Sequence, residues 1–221
     1  AEGGAYTELH VGDSPETASF VKYGGYIPLT LELIDRDETR KLRSYARELA
    51  SAGMRKISKL VAEIFTLNGG TGPVLADGSQ LFNNTVVTSP GGHANLDTLA
   101  LNHTNWDVVS GKVYRQPILV KEGINFYGTG PRMAVNPKYI LVGRSLQKAA
   151  MEICTGSLVG EADEVYDKVQ KGSAVPVVVP EWTYASDWAA ACDQRVARAI
   201  LVGERFGLAP EIFIAGDELS P

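Results

Sequence analysis

The chain has 221 residues, and its 21 Lys and Arg against 26 Asp and Glu give a formal net charge of −5 at pH 7. Its 44% hydrophobic and 21% charged residues are close to the globular average, which excludes a disordered or low-complexity chain. No run of about 18 apolar residues occurs, so the sequence predicts no transmembrane helix and no membrane partner. The acidic balance argues against a protein that works by gripping nucleic-acid phosphates, because that requires a basic face.

The first part of the chain predicts a long β-hairpin. Residues 5–11 alternate in polarity like a strand, residues 12–15 (Gly-Asp-Ser-Pro) have turn chemistry, and a second extended run follows over residues 19–33. The hairpin has few large apolar side chains for its length. It therefore needs a partner surface, because two strands alone cannot bury a core.

The strongest local pattern is a helix over residues 36–67. Asp35 can cap its first turn with Glu38 three places on, and apolar residues recur at helical spacing from Leu42 to Phe65. Asn68-Gly69-Gly70 supplies the stop. Unbroken, this helix would be about 48 Å long, and Gly53 is the one place where it would divide.

The remainder predicts a mixed α+β fold in which helices and strands do not alternate regularly. Residues 69–92 are predicted as an exposed loop with one short strand at 85–88. Residues 175–179 are predicted as a strand that either lies at an edge or ends early, because Pro176 interrupts them. The other predicted elements are helices at 102–115, 144–154 and, weakly, 161–171, a buried strand at 139–142, and two extended runs within 199–215.

No catalytic or metal site emerges from the sequence. The glycines of residues 69–72 end a helix instead of opening one, and no Lys-Ser/Thr pair follows them, so they do not form a phosphate loop. His10, His93 and His103 have no partner at metal-ligand spacing. Residues 89–93 are interpreted as a turn, and the acidic groups near residues 35–38 and 161–164 as helix starts. We therefore expect no catalytic residue, no cofactor and no metal.

Two further features have simple structural interpretations. Cys154 and Cys192 are not part of any Cys-x-x-Cys pattern, which favours buried free thiols in a reducing compartment over the alternative of a disulfide. Asn83 and Asn102 each begin an Asn-x-Thr triplet. That glycosylation pattern is common by chance, and both are interpreted as ordinary polar segments.

Four blocks in fixed order carry a resemblance to a known family. They are YGGYIPLTLELIDRDETRKL (23–42), RKISKLVAEIFTLNGGTGPVLADGSQLF (55–82), HANLDTLAL (93–101) and PRMAVNPKYILVGRSLQKAAMEIC (131–154). Together they resemble the major capsid proteins of tailed phages and prophages, within them most closely the Mu-type major head subunit group. The specificity lies in the order and spacing of the blocks, because no single block is diagnostic.

The resemblance implies the Hong Kong 97-like capsid fold. Residues 1–25 would be the extended loop, with a tip near residues 12–18 lying over an adjacent subunit. Residues 26–68 would be the peripheral domain with its spine helix, residues 69–188 the axial domain, and residues 189–221 the return to the peripheral domain.

The chain departs from the family pattern at its ends. It begins at Ala1 without a Met and stops at Pro221, so we expect a trimmed piece that lacks an N-terminal arm, any upstream scaffolding or protease region, and a last strand. Some relatives cross-link their shells through a lysine of the extended loop. Lys22 has that position here, but we interpret it as a solvated surface charge in preference to a cross-linking residue.

The sequence thus predicts a structural protein: a major capsid subunit whose pentamers and hexamers form an icosahedral shell around double-stranded DNA, without sequence-specific binding. A scaffolding protein or maturation protease would act during assembly, and the locations would be the virion capsid and the bacterial host cytoplasm. One alternative is an encapsulin-like compartment shell with a protein cargo. Another is an enzyme with a site in the loop of residues 69–92, which would show a well-formed apolar pocket and polar groups of perturbed pKa.

Overall fold

The computed structural model describes Tyr23 and residues 41–123, 125–155, 172–196 and 200. The helices and strands within this part of the chain are α1 (Lys41–Gly70), α2 (His103–Arg115), β1 (Val120–Glu122), β2 (Asn125–Tyr127), β3 (Pro137–Val142), α3 (Gln147–Thr155), β4 (Val175–Val178) and β5 (Trp188–Cys192). The fold is mixed α+β, as the sequence predicts.

The chain divides into two compact units. Among the described residues, one unit contains Tyr23 and the chain up to Val61, and the other contains the chain from Ala62 to residue 200. Helix α1 contributes residues to both units. The predicted boundary between residues 188 and 189 falls inside strand β5, and the capsid domain limits stay a prediction.

Helix α1 confirms the helical pattern of the sequence. It continues through Gly53 without interruption, and its first non-helical dihedral angles occur at Leu67, Asn68 and Gly69. Asn68 and Gly69 have φ values of 53° and 71°, the left-handed geometry that ends helices and that Gly and Asn adopt at least cost. The predicted stop is therefore confirmed. The apolar stripe is half-buried where its side chains are described, except at Met54, which is 56% exposed.

Three strands form a mixed sheet with the order β4-β3-β5. Strand β4 is parallel to β3, with Tyr139 opposite Val175, and β5 is antiparallel, with Tyr139 opposite Ala191. Among the described strands, β4 lies at an edge of this sheet, as predicted. The buried strand predicted at 139–142 is confirmed as β3, and the helix predicted at 144–154 as a 3-10 turn (Arg144–Leu146) followed by α3.

The core lies between one face of this sheet and helices α2 and α3. Ile140, Val142 and Ile153 are the largest fully buried side chains, and Trp106 of α2 packs near Trp188 of β5 with ring centroids 6.3 Å apart. Burying such side chains stabilises the fold by about 1.5–3 kcal/mol each.

Helix α2 confirms the helix predicted at 102–115. Its N-cap is Asn102, whose side chain accepts a hydrogen bond from the backbone N–H of Asn105 over 2.8 Å. Trp106 is buried and Val109 and Val113 are half-buried on the predicted face.

The strand predicted at residues 85–88 is wrong. The backbone N–H of Ser89 bonds to the carbonyl of Val86, and that of Gly92 to the carbonyl of Ser89, so this β-branched segment is folded into consecutive turns. Strands β1 and β2 were not predicted, and β5 was expected only through the resemblance, which implied strands over residues 189–221.

Several predictions lie outside the described residues. They are the hairpin of residues 5–33 apart from Tyr23, the tip at 12–18, Lys22, the cap by Asp35 and Glu38, the weak helix at 161–171, and the runs within 199–215 apart from residue 200.

Candidate functional site

The loop of residues 69–92, the place considered for an enzymatic site, is held by the Asn83 side chain. Its Nδ2 donates to the carbonyls of Gln80 and Gly91 over 2.9 and 3.0 Å. Its Oδ1 accepts from the backbone N–H groups of Thr85 and His93 over 3.2 and 2.9 Å. The side-chain amide thus donates two hydrogen bonds and accepts two, which is its full capacity. Asn83 therefore has a structural role.

His93 and Asn95 complete this network. The Nδ1 atom of His93 lies 3.1 and 3.0 Å from the carbonyls of Gln80 and Leu81. The same Nδ1 atom lies 3.2 Å from Nδ2 of Asn83, so the ring tautomer decides which of these contacts are hydrogen bonds. The Asn95 side chain bridges the backbone of Asn83 and Leu81. Internal hydrogen bonds thereby fix the loop, and the ring of His93 contacts backbone carbonyl groups of the same loop.

A neighbouring cavity of about 270 Å³ is lined by three charged and five uncharged residues. Its charged lining residues are Asp97, Lys112 and Arg115, and Lys112 donates to Asp97 over 2.6 Å. The other lining residues are Asn84, Val87, Ala94, Leu96 and Gln116, so a hydroxyl or thiol nucleophile is missing from the described lining. The cavity is smaller than the usual range for small-molecule sites.

The shifted pKa values also have structural causes. Burial opposes ionisation of Asp77, but hydrogen bonds from the Ser79 backbone and hydroxyl and attraction to His93 hold the pKa of Asp77 below 3.8. Burial raises the pKa of the Cys154 thiol to about 11, and burial also raises that of Cys192. Both cysteines are free, as predicted; Cys154 is buried and Cys192 half-buried. Raised pKa values make thiols poor nucleophiles.

The glycines considered as a phosphate loop are likewise structural. Gly69, Gly70 and Gly72 all have positive φ and end helix α1. His103 is the first residue of α2. Within the part of the chain that the structure describes, three or more His, Cys, Asp or Glu side chains do not come together as a possible metal site. None of the described helices is long and apolar enough to cross a membrane.

The structure also presents two surfaces that include exposed apolar side chains. The first is the face of the three-stranded sheet turned away from the core, here called the outer sheet face. Its members are the register partners Tyr139, Leu141, Val175, Val177, Ala189 and Ala191. Val175 is 50% and Val177 37% exposed.

The second surface is a two-stranded segment, residues 116–133, here called the ribbon. Strands β1 and β2 pair antiparallel at its far end. At its base the backbone N–H of Ile118 donates to Pro131 over 2.8 Å, and that of Met133 to Gln116 over 2.8 Å. Ile118, Leu119 and Met133 are 48%, 40% and 40% exposed. Sequence reasoning missed both surfaces, because the outer sheet face combines strands distant in the chain and the two strands of the ribbon are only three residues long.

A family model described as phage capsid protein matches residues 14–218, and the chain therefore belongs to the phage capsid protein family. No curated protein and no solved structure matches the chain. Members of a phage capsid family are structural, non-enzymatic proteins that assemble into a multi-subunit shell, so this chain is a capsid protein of the virion.

Proposed function

We propose that this chain is the major head protein of a tailed phage or prophage, from the Mu-type major head subunit group, with a Hong Kong 97-like fold. Its pentamers and hexamers form an icosahedral shell that encloses double-stranded DNA. The observation that carries the proposal is the family match over residues 14–218.

The arrangement of the described elements supports this function. A long helix, α1, precedes an α+β unit in the order expected of a spine helix followed by an axial domain. In this assignment residues 1–25 are the extended loop, residues 26–68 the peripheral domain, residues 69–188 the axial domain, and residues 189–221 the return to the peripheral domain.

The charge of the chain is compatible with enclosing DNA without binding it tightly. The formal charge of −5 disfavours a strong grip on phosphates. Assembly takes place in the bacterial host cytoplasm with the help of a scaffolding protein or maturation protease.

The test is the content of the assembled particles. Particles purified from expressing cells are treated with nuclease, opened and analysed for protected nucleic acid and for a second protein. Protected double-stranded DNA in closed particles supports the proposal. Closed particles that hold an enzyme and no DNA would instead favour an encapsulin-like compartment, and failure to form any particle would contradict both.

A further inference from the structure

Among the described residues that line the cavity beside the loop of residues 69–92, one charge is uncompensated. Lys112 donates to both carboxylate oxygens of Asp97, over 2.6 and 2.7 Å, so these two charges balance. Arg115 lines the same cavity, and within the described part of the chain its side chain makes no hydrogen bond or ion pair. The cavity therefore presents one net positive charge and the N–H donors of an unused guanidinium.

Helix α2 supports this guanidinium on a glycine. A Cβ built on Gly111 would lie 3.3 Å from Nη2, 3.6 Å from Cζ and 3.6 Å from Nη1 of Arg115. The three distances are nearly equal, so the flat face of the guanidinium rests on Gly111. Its N–H donors lie in the plane of the group and remain open. Gly is less favourable than Ala inside a helix, and here its missing side chain makes room for the guanidinium.

The backbone at Ala94, which lines the same cavity, is also unfavourable. Its φ of 48° is a left-handed conformation that costs free energy for a residue with a Cβ. The backbone N–H of Ala94 donates to the carbonyl of Thr85 over 2.9 Å, which holds this conformation. A helix-interior glycine and a strained alanine thus meet at one cavity. Such departures from local preference are typical of binding sites.

The lining favours a single carboxylate as the occupant. A guanidinium binds a carboxylate through two parallel N–H···O bonds. The side-chain amide of Asn84, another lining residue, makes no hydrogen bond within the described residues and can donate a further one. The carboxylate of Asp97 in the same lining opposes an occupant with several negative charges, and a nucleic-acid backbone requires several cations. The volume of about 270 Å³ suits the end of one side chain.

Neighbouring copies of this chain can supply such a carboxylate. The chain belongs to a family whose members assemble into a multi-subunit shell, so its surface lies close to other copies. It has 26 Asp and Glu against 21 Lys and Arg, so carboxylates are in excess wherever copies meet. Arg115 is exposed and is therefore within reach of a side chain from outside.

We propose that the cavity of Arg115 and Asn84 binds an Asp or Glu side chain of a neighbouring copy of this chain. The inference rests on the proposed assembly into a shell and names one contact within it. The alternative is that Arg115 only complements the C-terminal end of α2, where a cation is favourable. A lysine would do that equally well, whereas only an arginine offers the paired donors.

Charge removal at two arginines tests the contact. R115Q is expected to raise the concentration at which half of the chain is assembled by about tenfold or more, measured by sedimentation velocity. R132Q is the matched control, because Arg132 is also exposed and lies outside the cavity lining, and it should assemble like the unmodified chain. R115K retains the charge but should assemble less readily than the unmodified chain. Melting temperatures establish that the three variants fold.

G111A separates binding from stability. Its Cβ would displace the guanidinium of Arg115 from its position on the helix, so the variant should assemble less readily than the unmodified chain. Its melting temperature should nevertheless be higher, because Ala favours the helix. If Arg115 only complemented the end of α2, G111A would gain stability and assemble as well as the unmodified chain.

Carboxyl footprinting identifies the partner side chain. Carbodiimide couples an added amine to accessible carboxyl groups, and mass spectrometry of the peptides locates each modified residue. In particles of the unmodified chain, an Asp or Glu other than Asp97 is expected to be protected relative to the unassembled chain. The same residue should remain protected in R132Q particles and become modified in R115K particles. Equal modification in all three kinds of particle would contradict the contact.

The outcomes separate this inference from the proposed function. If the unmodified chain does not associate, both are overturned. If it assembles and R115Q assembles equally well, the contact is overturned and the capsid function stands. With normal assembly of R115Q, sodium acetate that raises the melting temperature of the unmodified chain but not of R115Q would assign the cavity to a free acid. R115Q particles that form normally but hold less DNA would assign it to phosphate, and either result overturns the contact.

Discussion

The indole N–H of Trp182 donates to the backbone carbonyl of Ala62, 120 positions earlier in the chain, over 3.3 Å. Trp182 is 7% exposed, and its ring packs edge-on against Phe65 with centroids 5.4 Å apart. Phe65 in turn stacks on Phe82. This aromatic group fixes the last turns of α1 to the segment that follows β4.

Replacement of Trp182 by Ala should lower the free energy of unfolding by about 3–5 kcal/mol, because it leaves a large cavity. W182F retains most of the packing and should cost less, with about 1 kcal/mol of its loss due to the hydrogen bond. Chemical denaturation measures both. Y184A is the control, because Tyr184 is 63% exposed, and equal losses in Y184A and W182A would contradict this role.

Replacement of Asn83 by Asp should lower the free energy of unfolding by about 2 kcal/mol or more. The variant turns a donor of two hydrogen bonds into an acceptor that faces the carbonyls of Gln80 and Gly91. N84D introduces the same change at an exposed neighbour and should stay within about 0.5 kcal/mol of the unmodified chain. Denaturant titration of N83D and N84D measures the difference in their free energies of unfolding. Similar values for the two variants would contradict the structural role of the Asn83 side chain.

Two Gly to Ala substitutions should change stability in opposite directions. A Cβ at Gly92 would lie 2.0 Å from the backbone oxygen of Val86, so G92A should destabilise by about 2–3 kcal/mol. A Cβ at Gly111 would meet only the flexible end of Arg115 at 3.3 Å. Because Ala favours helix α2 over Gly, G111A should stabilise by about 0.5–1 kcal/mol. Thermal melts of both variants show whether each substitution raises or lowers the stability. A melting temperature of G92A equal to that of the unmodified chain would be inconsistent with the turn at Gly92.

The stabilising effect of Asp193 should be lost at low pH. The hydrogen bond from Lys138, followed by the bond from the backbone N–H of Arg195, holds the pKa of Asp193 below 3.8. A lowered carboxyl pKa contributes stability above the unfolded-state pKa, and this contribution disappears as the pH falls through the folded-state value. Lys138 has a raised pKa, caused first by the same hydrogen bond, so its own contribution is lost only in strong alkali.

The measurement is the melting temperature of the unmodified chain against D193N from neutral pH downward. The two should differ above the ordinary carboxyl pKa and converge below the lowered one. Added salt should reduce the difference, because the pair is at the surface. A difference that is constant across the acidic range would exclude the ion pair as its source.

Cys154 should resist thiol reagents in the folded protein. Its pKa of about 11 leaves very little thiolate at pH 8, and its side chain is buried. Labelling followed by mass spectrometry should find Cys154 modified only after denaturant is added, with half-buried Cys192 modified earlier. Rapid labelling of Cys154 in the native chain would show that α3 opens readily.

The long helices and the central strand were predictable because their signals are local. The apolar spacing of α1 and its Asn68-Gly69 stop are contained within one segment, and β3 is a short apolar run. The local pattern did not predict strand β5, because its three alanines have little intrinsic preference for strands. It is a strand because Ala190 and Trp188 pair with Ile140 and Val142.

The loop and the two surfaces were also not predictable, because contacts between separate segments determine them. Residues 85–88 have the β-branched composition of a strand, but the turns closed by Ser89 and Gly92 decide their conformation. The link between Asn83 and Asn95 joins residues 12 positions apart, and local periodicity does not contain that information. The outer sheet face combines residues from three separated strands, so only the folded structure reveals it.

The central claim is that this chain assembles with copies of itself. Mass measurement of the purified protein in solution, combined with electron microscopy of the same sample, tests it most directly. The account predicts closed particles of uniform diameter that contain many copies of the 23.7 kDa chain. A single species at the mass of one chain, at every concentration and salt condition, would contradict it.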